Sequence, residues 1–223
     1  LTQERALRTR ERVLDAAAEE FATQGYANTT LLTVAGRIGM SKGAMYGHFT
    51  SKEQLAAALV QQAEETWRQL RHTYEGGAED TEGRTGRGRG ETDGDAHTAT
   101  ALHRLTLDIG RRLRSEVRLR AAARLIADRS QSAADGPAIL REIYRVMLSL
   151  ARATQEAGRI PRPYRPELVA QLLLTVVSSA QHAGHPRGSG RQGSRWEDEA
   201  RLLLTMIHGE VGSGYHVSDT SES

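Results

Sequence analysis

Thr30 to Leu55 read TLLTVAGRIGMSKGAMYGHFTSKEQL, and the punctuation of this stretch decides the fold. Thr30 offers an N-cap to a short helix over about 31–38, which Gly39 ends by adopting a left-handed or turn conformation. Ser41 offers a cap to a second, equally short helix over about 42–48. Two short helices joined by a tight glycine turn, braced by a longer helix before them, make a helix-turn-helix. In that geometry one short helix crosses a sugar-phosphate backbone while the other lies in a major groove. Ile38 and Met40 flank the turn and face a miniature core with Phe21 and Val34, and the second helix is Lys42-Gly43-Ala44-Met45-Tyr46-Gly47-His48. Its small residues let the backbone approach a groove closely.

The candidate DNA-contacting residues are Thr30, Thr33, Arg37, Ser41, Lys42, Gly43, Ala44, Tyr46, His48 and Lys52. Tyr46 and His48 can donate to phosphate oxygens, and Lys42 to a base edge or a phosphate. Lys52 opens a following helix whose first amides and dipole favour an anion. Lys42 and Lys52 are the only lysines of the chain; every other basic residue apart from histidine is arginine. Arg5, Arg8, Arg10 and Arg12 form either a basic arm on DNA or a solvated helix face.

Outward from this stretch the pattern stays helical. Leu14, Ala17, Ala18, Phe21 and Ala22 recur at helical spacing over 8–24, and Gly25 is placed to end that helix. Thr50 with Glu53, and Ser51 with Gln54, are two overlapping capping boxes ahead of a long helix to about Tyr74, with Leu55, Leu59, Ala63, Trp67 and Leu70 down one face. Gly76 to Thr100 holds few large apolar groups and reads as a long mobile loop. Helical patterns resume over about 101–114, 116–128, 136–157, 165–183 and 195–209, with no convincing period-2 strand. The expected class is all-α: a helix-turn-helix domain over 1–50, a larger helical domain over 51–210 with the 76–100 loop inside it, and a polar tail over 211–223.

With 223 residues and a formal charge of +2, the chain permits a nucleic-acid partner without demanding one. It has no cysteine, which removes disulfides, thiolate zinc sites and cysteine nucleophiles. No apolar run approaches a membrane span, so the expected setting is soluble and cytoplasmic, with no membrane partner. No catalytic residue, metal site or cofactor is expected. His182 and His185 lack a carboxylate cluster, Gly86, Gly88 and Gly90 do not follow a strand, and Arg84, Arg87 and Arg89 are interleaved with acids as in a plain linker.

The run Thr30 to Phe49, with Ser51-Lys52-Glu53-Gln54-Leu55 after it and Phe21-Ala22-Thr23-Gln24-Gly25-Tyr26 before it, resembles the N-terminal signature of TetR-family repressors over roughly residues 8–56. The resemblance implies an all-helical homodimer, a ligand pocket in the larger domain, and release from a palindromic operator in double-stranded DNA when a small-molecule effector binds. Ser41 to Tyr46 with His48-Phe49, Arg120 to Leu125, and Leu140 to Ile143 resemble the gamma-butyrolactone receptor branch of actinomycetes, whose members switch antibiotic biosynthesis and development. The effector so implied is a butyrolactone or butenolide signal, or an antibiotic. Candidate ligand contacts are Gln62, Leu105, Ile109, Leu125, Leu140, Tyr144, Thr175, Val176 and Ser179, of which only some need line a cavity. The helices at about 165–183 and 195–209 are expected to form a four-helix bundle with a second copy. A ligand-independent pseudo-receptor or an activator would share every N-terminal feature.

Overall fold

The structure, a computed structural model, describes the backbone of residues 2–79, 92–130, 138–181 and 192–207, and the side chains of 3–74, 101–128, 138–181 and 196–207. Among these residues there are nine helices and no strand: α1 (Thr2–Asn28), α2 (Leu31–Arg37), α3 (Lys42–Tyr46), α4 (Lys52–Glu79), α5 (Thr92–Ser115), α6 (Val117–Ser130), α7 (Ala138–Glu156), α8 (Pro166–Ser179) and α9 (Gln192–Ile207). The all-α expectation holds. The loop expected over 76–100 is cut back from both ends, because α4 runs on to Glu79 and α5 begins at Thr92. Extending an existing helix adds a hydrogen bond per residue at little cost and needs no apolar stripe. The remainder of that loop, His182 and His185, and the 211–223 tail lie outside the described residues.

Local signals place the first four helices. Gly25 (φ 77°, ψ 174°) kinks α1 rather than ending it, and a last turn follows to Asn28. An added Cβ at Gly25 would lie 3.0 Å from the Arg124 guanidinium, which donates to the Ala22 carbonyl at 2.7 Å. Thr30 caps α2 through a reciprocal pair: its Oγ1 accepts from the Thr33 amide at 3.1 Å, and Thr33 Oγ1 accepts from the Thr30 amide at 3.0 Å. Gly39 takes φ 66°, and Ser41 Oγ accepts from the Ala44 amide at 3.3 Å to open α3. At the start of α4 only one of the two capping boxes half-forms. Ser51 accepts from the Gln54 amide, the Gln54 side chain turns back to the Thr50 amide, and Glu53 goes instead to the Tyr26 hydroxyl at 2.8 Å. Thr30→Ala is expected to cost about 1 kcal/mol, a typical loss for an N-cap; an unchanged urea melt would contradict the assigned cap.

Two large apolar clusters organise the chain. The first joins α1 to α4 with α6: Leu14, Phe21, Val34, Met45, Phe49, Leu55 and Leu59 pack with Ala121 and Leu125, while Ile38 and Met40 close its edge as their positions beside Gly39 require. The second fills the body, from Trp67 of α4 through Leu102 and Leu105 of α5, Met147 of α7 and Leu173 of α8 to Leu204 of α9. Its α8 face differs from the one that the helical spacing of Leu168, Leu172, Val176 and Ser179 predicts. Val169, Ala170, Leu173 and Val177 turn inward, whereas Leu168 and Leu172 are 59% and 43% exposed. Residues 168–177 are apolar on nearly every side, so periodicity could not choose the buried face.

A third, smaller cluster seats α9, with Trp196 and Ala200 against Leu107 of α5 and Ala180 after α8. Arg111 of α5 reinforces the seat, donating to Glu197 at 3.0 Å. That guanidinium holds the Glu197 carboxyl below its ordinary value of 4.5. A carboxyl depressed in the folded state stabilises fully above its unfolded value, and the contribution is lost as pH falls through the folded value. The stability gap between the wild type and Arg111→Gln is therefore expected to be widest near neutrality and to shrink below about pH 4.5. Parallel melts at pH 7 and pH 3.5 read it directly, and a gap that does not change with pH would contradict the pairing.

Candidate DNA-binding face and ligand cavity

α3 is anchored by Met45, which is 1% exposed, and by Phe49 just beyond the helix, also 1% exposed. With those two side chains in the core, Ser41, Lys42, Gly43, Ala44 and Tyr46 of the same segment face solvent together. His48 is half-buried, and its amide donates to the Met45 carbonyl. Lys42 Nζ lies 5.9 Å from the centre of the Tyr46 ring one turn later. Nothing lies within 4 Å of an added Cβ at Gly43. α3 thus presents a short, small-residue ridge with a lysine and a phenol on it. Arg10 of α1 stacks over the Phe49 ring at 4.9 Å. Arg5, Arg8 and Arg12 lie on the solvated face of the same helix, where Arg8 pairs with Glu4.

Other residues of the candidate set have local tasks. Thr30 and Thr33 are exposed but spend hydroxyl capacity on the α2 cap. Arg37 pairs with Glu20 of α1 at 2.6 Å and so braces α2 against α1. Lys52 donates to the Tyr26 carbonyl at 2.8 Å and sits 4.3 Å from the centre of that ring, closing the last turn of α1. At the N-terminus of α4 the Glu53 carboxyl is lowered from its ordinary value chiefly by its own backbone amide and then by the Tyr26 hydroxyl. An acidic side chain already occupies part of the site expected to attract an outside anion.

A cavity of about 130 Å³ lies in the body, walled by Ala63, Thr66, Trp67 and Leu70 of α4, Ile109, Arg112 and Leu113 of α5, Leu119, Ala123, Ile126 and Ala127 of α6, Ile139, Leu140 and Ile143 of α7, and Leu174, Val177, Ser178 and Gln181 at the end of α8. Of the nine candidate ligand residues, Ile109 and Leu140 are in this wall. Leu105 and Leu125 are wholly enclosed in core packing. Tyr144 packs against the body core. Gln62 instead lines a neighbouring polar cleft with Glu65, Glu116 and Arg118. Thr175 and Ser179 are exposed and bond to carbonyls of their own helix, and Val176 packs beside Trp196, whose Nε1 donates to the Val176 carbonyl at 3.0 Å. On α8 the candidates sit one step around the helix from the wall. Trp67, Ile126 and Gln181 were not legible as wall residues in the sequence, because an apolar stripe does not tell a residue beside a void from one in solid packing.

α6 joins the cavity to the helix-turn-helix head formed by α1 to α4. Leu119, Ala123, Ile126 and Ala127 face the cavity, while Ala121 and Leu125 belong to the head's own core. Arg118 adds a polar clamp to α1, donating to Asp15 at 2.7 Å and to the Glu11 carboxylate at 2.6 Å, with Gln62 of α4 at 3.3 Å. Asp128 accepts from the Tyr26 amide at 3.4 Å near the other end of α6. Among the described residues no cluster of three or more His, Asp or Glu could hold a metal, and no helix is long and apolar enough to cross a membrane.

Comparison with known proteins bears on both regions. Residues 13–59 match the family model described as bacterial regulatory proteins, tetR family. Over 65 residues the chain is 40% identical to the HTH-type transcriptional regulator TtgR of Pseudomonas putida, a match covering 29% of this chain and 31% of that one. It is 38% identical over 64 residues to the A-factor receptor protein of Streptomyces griseus, covering 29% and 23% of the two chains. The match thus spans less than a third of either curated relative. Solved structures extend the likeness beyond the head. A gamma-butyrolactone receptor (ArpA-like protein) superposes with a TM-score of 0.60 at 27% identity, over 91% of this chain and 98% of that one. CprB from Streptomyces coelicolor, in complex with its operator sequence, superposes with a TM-score of 0.62 at 26% identity, over 92% and 97%.

Proposed function

From the match of residues 13–59 to the tetR family model of bacterial regulatory proteins, we propose that the chain is a dimeric transcriptional repressor of that family. It binds a palindromic operator and is released when a small molecule enters the cavity. The observation that carries this reading is α6, a single helix with one face in the core of the DNA-binding head and another in the cavity wall. A molecule that displaces α6 must also move α1, because Arg118 and Arg124 tie the two helices together. A ligand can shift an equilibrium only by its differential affinity for the two arrangements, and a few kcal/mol suffices to empty an operator. The functional units are a head over 1–50 and a body over 51–210.

The proposed DNA face is the exposed ridge of α3, with Lys42, Gly43, Ala44 and Tyr46 toward the major groove and Ser41, His48, Thr30 and Thr33 at its margins. Arg37 and Lys52 serve it chiefly by holding α2 and α4 in place. The exposed Leu168 and Leu172 of α8, with Leu202 and Met206 of α9, supply an apolar face for a second copy. Dimerisation through them sets the distance between two recognition helices. The relatives are regulators rather than enzymes, and an effector of the butyrolactone or antibiotic class, with a role in secondary metabolism, fits the gamma-butyrolactone receptors among the solved neighbours. An electrophoretic mobility shift on the DNA upstream of the protein's own gene tests the proposal. A salt-sensitive shift released by butyrolactone-type extracts supports it. A shift that nothing releases points to a ligand-independent regulator.

A further inference from the structure

The cavity in the body has a composition that limits what can fill it. Its walls are almost wholly apolar, and the one ionisable group among its described lining residues is Arg112. That guanidinium is already paired with Glu116 at 3.3 Å, and its side chain is 43% exposed. A charged ligand would find no desolvated partner of opposite sign, so the cavity favours a neutral molecule. Its volume of about 130 Å³ is close to that of the apolar cavities, roughly 150 Å³, that take up benzene.

Part of the cavity wall is polar. Ser178 and Gln181 line it together at the close of α8. Gln181 Oε1 is buried and meets no donor, the one buried side-chain oxygen or nitrogen among the described residues without a partner. A buried acceptor left unmet is costly and rare in folded proteins, and a ligand donor would remove that cost. Trp67 also lines the cavity, and its indole N–H is engaged by Glu142 at 3.2 Å.

We infer that the effector is a compact, neutral, single-ring molecule whose hydroxyl or N–H donates to Gln181 Oε1 while the rest of it lies in the apolar chamber beside Trp67. The inference rests on the cavity being the effector site, and it narrows the class toward small neutral rings and away from carboxylates.

Phenol and benzene are the probes, differing by one hydroxyl, with binding measured by isothermal titration calorimetry on the full chain. Wild-type protein is expected to bind phenol about tenfold more tightly than benzene, the scale of one hydrogen bond met in a buried site. In Gln181→Leu the order is expected to invert, because the hydroxyl then loses its acceptor, while retained benzene binding reports an intact fold. Benzene bound as tightly as phenol by the wild type, a phenol preference that survives in Gln181→Leu, or failure of the wild type to bind either probe would each overturn the inference. Operator binding without probe is scored separately. If it is intact and phenol is not preferred, the ligand class fails alone; if phenol is preferred and no DNA is bound, the proposed function fails alone.

Discussion

Gly110→Ala is expected to melt about 5 °C lower than the wild type and to lose the proposed dimer, although alanine is the better helix former. Gly110 lies within α5, and a Cβ there would fall 1.8 Å from the Trp196 ring, with two further ring carbons at 2.4 and 2.6 Å. These are ring atoms of an indole held on its other side by a hydrogen bond from Nε1 to the Val176 carbonyl and by Leu107, Ala180 and Ala200. The ring cannot swing aside without breaking that bond. Propensity alone favours the variant by about 1 kcal/mol. Against it stand overpacking, about 1–3 kcal/mol, and a lost hydrogen bond, about 1 kcal/mol. A net loss of roughly 2 kcal/mol lowers the melting point of a chain this size by several degrees. α9 carries Leu202 and Met206 of the proposed dimer face, so sedimentation velocity should show monomer at concentrations where the wild type is dimeric. A melting point above that of the wild type would show that the ring yields freely and that α9 is not seated as described.

Gly43→Glu has the opposite profile: an unchanged fold with lost function. The position is exposed, nothing lies within 4 Å of the added Cβ, and glutamate is a better helix residue than glycine. The thermal melt is therefore expected to stay level or rise. The carboxylate would stand on the ridge proposed to face phosphate and base edges, where like charge costs several kcal/mol. Operator affinity is expected to fall by about a hundredfold, roughly 2.7 kcal/mol. A variant that folds normally and still binds within a few-fold of wild type would remove α3 from the interface.

What could be read from the sequence follows the range of the forces involved. Thr30, Gly39 and Ser41 act on backbone within three or four residues, so the caps and the turn of the head were legible, and Ile38 and Met40 followed from their places beside the turn. Capping at α4 was only partly legible, because Glu53 found a partner 27 residues away in Tyr26 rather than one on its own helix. The same limit applies to Arg37 and Lys52, whose engagement with Glu20 and with the Tyr26 carbonyl depends on how α1 lies across the head. In the body, the stripe on α4 predicted the buried residues Leu59 and Trp67. The buried face of α8 was not legible, because that helix is apolar on both the face it buries and the face it exposes. A cavity is a shortfall in packing among five helices, and no single stripe encodes it; Ile109 and Leu140 were found and Gln181 was not.

If two copies of this chain read a symmetric DNA site through α3, selection from a random double-stranded library recovers that site with no operator sequence assumed. Repeated rounds of capture by the purified protein at physiological salt are expected to enrich an inverted repeat, its half-sites separated by about one helical turn or somewhat more, as two recognition helices on a two-fold axis require. The same rounds with Gly43→Glu should enrich nothing. A wild-type pool that stays random, or one that converges on a single half-site without symmetry, would rule out symmetric recognition through α3.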